Sequence, residues 1–224
     1  MSAGYDRGMR RALARRAPTR VDPVRAVAIK RNVHEAVVAT SAELLARAMR
    51  QVMADPDRRF DLIRVRRDPD RVGAAFEVGE RFLGSVGLDL ALATRAPRLA
   101  RALQRPAVAP ILAWLECRVA SDYAVVTELD HTARADGSYR VTYRYLTGAP
   151  LIGTSSLEIA PAGTLRCRLT HVFEYQETGW LGIGVLHGFG IQRHDAAFAA
   201  QVGAAAEQAG AAVLSISVPS STRD

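Results

Sequence analysis

The segment from residue 116 to residue 209 constrains the fold of this chain most, because alternating strands there lead into one long helix. Alternation of apolar and polar residues occurs in four stretches, 117–129, 139–145, 151–159 and 165–175. This two-residue period is typical of a sheet with one buried face. A helical pattern follows over 179–209. The order predicts an α+β fold in which a curved antiparallel β-sheet wraps around a long C-terminal α-helix.

The first half of the predicted C-terminal helix is rich in glycine. Gly182, Gly184, Gly188 and Gly190 alternate with large apolar residues, and each glycine inside a helix costs about 1 kcal/mol relative to alanine. Two interpretations remain open. The missing side chains either allow close packing of the helix on the sheet or leave room for a ligand in a cavity between them.

The N-terminal half of the sequence predicts one strand, one helix and then two short strands. The first strand is expected over 33–39. A helix then begins after Ser41, whose side chain is a suitable N-cap, and ends at Asp55. Short strands are expected near 60–67 and 75–88, where glycines mark turns or bulges.

Residues 90–115 interrupt the strand pattern and predict a helical insertion. They contain four arginines and no acidic residue, and Pro97 stands where a helix would start. Two interpretations remain open here as well. The insertion is either an ordinary surface helix or a functional one, which acts as a mobile flap over the cavity or as a contact with an anionic membrane.

Positive charge is concentrated at the N-terminus. The chain has 224 residues and a net charge of +7, and residues 1–31 account for all of it, with nine basic and two acidic side chains. We therefore expect a basic, flexible N-terminal extension at 1–31, a folded domain at 32–214 and a C-terminal tail at 215–224. The extension is either a solvated tail or a contact with anionic lipid or nucleic acid, and nucleic acid is the less favoured partner.

Several classes of protein and site are not supported by the sequence. It has no apolar run of the length that a membrane span needs and no apolar leader. Cys117 and Cys167 lie on strand-like segments and are expected to be free thiols. These observations predict a cytoplasmic protein. Ser155 and Ser156 lack the glycine pattern of a nucleophile elbow.

The histidines of the C-terminal helix do not have the spacing of metal ligands. His187 and His194 are seven residues apart, and no acidic residue or cysteine accompanies them at i+3 or i+4 on the same face. We therefore predict no metal site and no cofactor. His187 is expected to reach the cavity, whereas His194 is expected to be exposed.

His171 is the polar residue best placed for chemistry. It shares the phase of Leu169, Phe173 and Tyr175, so the sheet should direct it inward. A buried imidazole needs a hydrogen-bond partner, and Tyr143 or Tyr145 on a neighbouring strand is the expected one. His171 is then either a satisfied core residue, or a ligand-orienting donor or general acid/base.

The order of strand, helical segment, antiparallel strands and long C-terminal helix resembles the START-like superfamily, also called helix-grip or SRPBCC. The resemblance rests on 33–53, 139–145, 165–175 and 179–209. It implies binding of a hydrophobic small molecule or lipid in a cavity between the sheet and the helix. The ligand-binding residues expected on this basis are Tyr139, Val141, Tyr143, Tyr145, Leu169, His171, Phe173, Tyr175, Trp180, Ile183 and His187.

Two alternatives remain beside ligand binding. By the same resemblance, the cavity belongs to a polyketide cyclase- or dehydratase-like enzyme, with His171, Tyr143 and Tyr145 as the candidate catalytic residues. Otherwise the core is filled, and the protein is an interaction protein that contacts an anionic membrane or nucleic acid through its basic tail and the 90–115 insertion.

Overall fold

The computed structural model describes eleven elements of secondary structure. The described residues are 29–55, 57–61, 63–67, 75–86, 98, 121–145, 151–177 and 187–218. The strands are β1 (Lys30–Val38), β2 (Asp57–Phe60), β3 (Ile63–Arg67), β4 (Arg81–Val86), β5 (Ser121–Leu129), β6 (Tyr139–Tyr145), β7 (Leu151–Pro161), β8 (Cys167–Glu177) and β9 (Val213–Ser217). The helices are α1 (Ala42–Ala54) and α2 (His187–Gln208).

All nine strands form one antiparallel sheet in the order β2-β3-β4-β5-β6-β7-β8-β1-β9. Strands β2 to β8 follow one another in chain order, each paired with the next. The first strand, β1, joins the far side of β8, and the last strand, β9, pairs with β1. The predicted α+β class, with an antiparallel sheet and a C-terminal helix, is confirmed.

The sheet curves around α2. This helix contacts β1 as well as β2 and β3, although β1 and β2 stand seven positions apart in the sheet. In a flat sheet that separation would be about 34 Å, too far for one helix to reach both strands. Bulges interrupt the pairing of β5 with β6 at Thr127 and the pairing of β9 with β1 at Leu214, and bulges of this kind bend a strand.

Helix α1 forms as its sequence predicts. Ser41 is the N-cap, with its hydroxyl accepting a hydrogen bond of 3.2 Å from the backbone N–H of Leu44, and the helix ends before Asp55. Leu45, Met49 and Val52 recur at helical spacing and are buried. They join side chains of α2 and of the inner sheet face in one hydrophobic core.

Some expected boundaries differ from the structure. Strand β1 begins at Lys30 rather than at 33, so the sheet reaches into the segment expected to be an extension, of which residues 1–28 lie outside the described part. The segment 215–224, expected to be a tail, begins within β9. The insertion expected at 90–115 lies outside the described residues except at Arg98.

The C-terminal helix was predicted to start at 179. Its described part runs from His187 to Gln208, and residues 178–186 are outside the described range. Among the helices that the structure describes, none is long and apolar enough to cross a membrane.

Candidate functional site

Two histidines face each other on the inner surface of the sheet. Asn32, His34, Ala36 and Val38 are the buried residues of β1 and alternate with more exposed ones. His34 pairs directly with His171 of β8 in the antiparallel register. Residues opposed in this way have Cβ atoms about 5 Å apart, so the register alone brings the two imidazole rings together.

A chain of hydrogen bonds runs through these two rings. The Oγ of Ser155 lies 2.6 Å from Nε2 of His171, and the Nδ1 atoms of His171 and His34 are 3.2 Å apart. Nε2 of His34 lies 2.7 Å from Oδ1 of Asp195. A carboxylate only accepts hydrogen bonds, so His34 donates from Nε2 and accepts at Nδ1 when its ring is neutral.

The donor and acceptor roles of the other members of this hydrogen-bond chain follow from those of His34. His171 then donates from Nδ1 to His34, and its Nε2 accepts the hydrogen bond of the Ser155 hydroxyl. The chain therefore connects a buried serine hydroxyl, through two imidazoles, to a carboxylate on α2. Asn32 supports the carboxylate end, because its side-chain amide donates to Oδ1 of Asp195 over 3.3 Å.

His194 of α2 completes a cluster of three imidazole rings. Its ring centroid is 5.2 Å from that of His34 and 5.1 Å from that of His171, and the His34–His171 separation is 5.3 Å. The Nδ1 atom of His194 is buried and has no hydrogen-bond partner among the described residues. We refer to His34, His171 and His194 as the histidine cluster.

Burial lowers the pKa of two members of the histidine cluster, His171 and His194. The pKa of His171 is well below its usual value because the ring is buried and because His194 and His34 lie beside it. The pKa of His194 falls to about 4, again through burial first and the neighbouring His34 second, with Asp195 acting in the opposite direction. Both rings are therefore neutral at physiological pH and keep a lone pair on one nitrogen.

Phenylalanine rings enclose the histidine cluster. Phe198 of α2 lies 4.9 Å from His34 and 5.6 Å from His171 between ring centroids. Phe173 of β8 lies 4.7 Å from His194. Phe173 and Phe198 are both buried, so the unpaired Nδ1 of His194 belongs to a ring with apolar neighbours, where an unpaired polar atom is costly.

Most of the predicted ligand-binding residues on the sheet lie on its buried face. Tyr145 is partly buried and contacts Phe173. The others on the sheet are buried: Tyr139, Val141, Tyr143, Leu169, His171, Phe173 and Tyr175. Of the expected helix residues, His187 is the first residue of α2, and Trp180 and Ile183 lie outside the described residues.

Two expectations about the histidines are wrong. His171 bonds Ser155 and His34 rather than Tyr143 or Tyr145, because β7 lies between β8 and the strand β6 that carries both tyrosines. His194 is not exposed, because it stands four residues before Phe198 on α2, and Phe198 is buried against the sheet. Residues four apart share one face of a helix.

His34, Ser155 and Asp195 belong to the site but were missed from the sequence. His34 alternates with apolar residues of β1 in the way that His171 does in β8, so its inward direction was readable. Ser155 is likewise in phase with the buried Leu157 of β7. The sequence does not show that β1 pairs with β8. This pairing brings together His34 and His171, which are 137 positions apart in the chain.

No protein-family model matches the sequence, and no curated protein matches it. Solved structures that are similar to this chain include a norcoclaurine synthase point mutant of Thalictrum flavum in complex with a transition-state analogue. It is 12% identical, covers 82% of this chain and 98% of its own, and has a TM-score of 0.47.

Two further structures are similar to a comparable degree. A hypothetical protein of Helicobacter pylori is 11% identical over 84% of this chain and 95% of its own, with a TM-score of 0.46. The Zhui aromatase/cyclase of Streptomyces sp. R1128 is 13% identical over 81% and 96%, with a TM-score of 0.44. The strand order and helix positions described above form a helix-grip arrangement, in which one antiparallel sheet curves around a C-terminal helix.

Proposed function

We propose that the protein binds a small, mainly apolar molecule against the inner face of the sheet, with one polar group of that molecule hydrogen-bonded to Tyr143. The observation that carries the proposal is the hydroxyl of Tyr143, which is buried and has no hydrogen-bond partner in the described part of the chain. Leaving such a group unpaired costs about 1–3 kcal/mol. A ligand that accepts this hydrogen bond would recover that cost.

The protonation of Tyr143 suits it to donate. Burial raises the pKa of its hydroxyl well above the ordinary value of 10.0, so the group keeps its proton over the whole physiological range. Phe82 packs edge-on against the Tyr143 ring, with centroids 5.2 Å apart. This contact fixes the ring, so the hydroxyl would be oriented before a ligand arrives.

The neighbours of Tyr143 in the sheet form an apolar surface that carries a few hydrogen-bonding groups. Tyr143 is directly opposite Ser155, and Ser155 is directly opposite Phe173. Phe173 in turn stacks on Tyr175, with centroids 4.5 Å apart. Ligand sites are commonly built in this way, from aromatic surface with a small number of placed hydrogen-bonding groups.

Two probes of the same shape test the proposal: 2-naphthol, which has one hydroxyl, and naphthalene, which has none. We expect 2-naphthol to bind the wild-type protein more tightly than naphthalene. Tyr143→Phe should weaken 2-naphthol binding about 2- to 13-fold, the range that corresponds to a net hydrogen bond, and leave naphthalene binding unchanged. Tyr139→Phe is the matched control, because Tyr139 is a buried tyrosine on the same face of the same strand, but its hydroxyl is not among the buried polar groups that lack a partner.

Two results would contradict the proposal. The first is that neither probe binds and native mass spectrometry of the freshly purified protein shows no retained small molecule. The second is that Tyr143→Phe and Tyr139→Phe change the ratio of the two affinities equally. The cyclase- or dehydratase-like activity and the membrane contact stay predictions, and turnover or vesicle binding would have to be measured separately.

A further inference from the structure

We infer that His34, His171 and His194 form a binding site for one divalent transition-metal ion of the zinc class. One ring nitrogen from each histidine lies within 4.8 Å of those of the other two. The three residues come from β1, β8 and α2, so the site exists only when the sheet has closed against the helix. The prediction of no metal site is wrong if this inference holds, because the three histidines lie far apart in the chain and no spacing between them indicates a shared ion.

The nitrogen spacing of His34 and His171 and the ring spacing of all three histidines fit tetrahedral coordination. With Zn–N bonds of about 2.0–2.1 Å and tetrahedral angles, two ligating nitrogens lie about 3.3 Å apart and the centroids of their rings about 5.2 Å apart. The observed Nδ1–Nδ1 distance between His34 and His171 is 3.2 Å. The three centroid distances are 5.3, 5.2 and 5.1 Å, which makes the cluster nearly an equilateral triangle.

The hydrogen bonds that reach His34 and His171 from outside the cluster do not use their Nδ1 atoms. Asp195 binds Nε2 of His34, and Ser155 binds Nε2 of His171, so each ring can offer Nδ1 to a metal ion. Outer partners of this kind orient ligating histidines and fix their tautomers in metalloproteins. On binding, His171 would move its proton from Nδ1 to Nε2 and donate it to Ser155, without a net release of protons.

His194 provides an independent observation. Its Nδ1 atom is buried without a hydrogen-bond partner among the described residues, although buried nitrogens almost always have one. A metal ion held by the other two rings would give this nitrogen a partner. The hydrogen bond that now joins His34 and His171 does not explain why a third imidazole lies equally close to both.

The donor set determines the class of ion. Three neutral imidazoles suit zinc, copper, nickel, cobalt or iron, whereas magnesium and calcium prefer oxygen ligands. Three protein ligands leave a fourth coordination position for water or for a polar group of a bound molecule. Phe173 and Phe198 surround the cluster, and an apolar shell limits the access of bulk water to the metal.

Cobalt titration of the tag-free protein, dialysed against EDTA, tests the inference. We expect one Co²⁺ per chain, with the intense visible d–d bands of tetrahedral nitrogen coordination, and displacement of Co²⁺ by Zn²⁺ but not by Mg²⁺. His194→Gln should abolish the bands. Asp195→Asn should weaken Co²⁺ binding about 10- to 100-fold, the usual effect of losing an outer partner. His131→Gln is the matched control, because His131 is exposed and outside the cluster.

Absence of stoichiometric Co²⁺ binding to the wild-type protein would overturn the inference, as would an equal loss in His194→Gln and His131→Gln. Circular dichroism checks that each variant is folded. If His194→Gln fails to fold, the unfolding temperature of the wild-type protein decides the question, because Zn²⁺ should raise it and Mg²⁺ should not. Tyr143→Phe should retain full Co²⁺ binding, so a failure of the proposed ligand site would be distinguishable from a failure of the metal site.

Discussion

Arg67 and Glu80 form an ion pair in the interior of the molecule, with side chains that are 1% and 0% exposed. The guanidinium donates two parallel hydrogen bonds to the carboxylate. It also donates to the backbone oxygens of Ala54 at 2.6 Å and Ala75 at 3.2 Å. The pair thereby joins the end of α1, the strand β3 and the segment before β4.

Removing one charge of this pair should destabilise the folded protein. We expect Glu80→Gln to lower the free energy of unfolding by about 3–5 kcal/mol, because the buried guanidinium of Arg67 would lose the charge of the carboxylate that accepts two of its hydrogen bonds. Chemical denaturation measures this directly. The control is Glu43→Gln, which breaks the pair of Arg47 and Glu43, whose side chains are 57% and 64% exposed. Its effect should stay below about 0.5 kcal/mol, and equal losses in the two variants would contradict the argument.

Cys167 should react slowly with thiol reagents. Its side chain is fully buried, and burial raises the pKa of its thiol from 9.0 to about 11. Only the thiolate reacts, so its fraction at pH 8 is about 100-fold lower than for a thiol of ordinary pKa. In a Cys117→Ser background, Ellman's reagent should label the native protein far more slowly than the protein unfolded in guanidinium.

The pH dependence of that reaction gives a second check on Cys167. Because the folded-state pKa is the higher one, the thiol's contribution to stability is complete below pH 9 and is lost as the pH rises towards 11. Labelling requires the thiolate, and the thiolate fraction grows until the pH exceeds the pKa of about 11. The labelling rate of the native protein should therefore still be rising between pH 9 and pH 10. A plateau near pH 9 would show that the thiol is not in the environment described.

At the scale of elements, β7 and β8 approach each other closely at Gly153. A Cβ atom added there would lie 2.0 Å from the backbone oxygen of Glu174 and 2.8 Å from the Cα of Tyr175. We expect Gly153→Ala to cost at least about 1–3 kcal/mol, because backbone rather than a flexible side chain must move. Gly203→Ala on α2 is the matched control. Nothing lies within 4 Å of its added Cβ, so it should stabilise the protein by about 0.5–1 kcal/mol. Thermal unfolding of both variants measures the difference in sign.

Elements with a strong local signal were predictable, and elements without one were not. Helix α1 has a cap at Ser41 and apolar residues at helical spacing, and β8 alternates over its whole length, so both were found. Strand β9 has five residues, of which four are exposed. No two-residue period of burial distinguishes such a strand from a tail. It is held by its pairing with β1, which is a long-range contact that the sequence does not display.

At the scale of the whole molecule, the histidine cluster shows why a fold can be predicted when its site cannot. The inward direction of His171 followed from the period of one strand. The partners of His171 depend on which strands are neighbours and on which face of α2 meets the sheet. His34 and His194 reach it only because β1 closes onto β8 and α2 lies in the curve of the sheet. These are properties of the assembled chain and leave no motif at short spacing.

The net charge of the protein is unevenly distributed along the chain. Residues 1–28 contain seven arginines and two aspartates, a net +5 of the total +7, and the sheet begins after them at Lys30. Removing residues 1–28 should leave the unfolding temperature unchanged, because every described strand pair is retained. The truncated protein should elute from a cation exchanger at lower salt and bind vesicles containing phosphatidylglycerol more weakly, since exposed charge attracts anionic surfaces. If the truncated protein binds vesicles as strongly as the full chain does, the membrane contact lies in another part of the chain. If it no longer unfolds cooperatively, the first 28 residues belong to the folded domain.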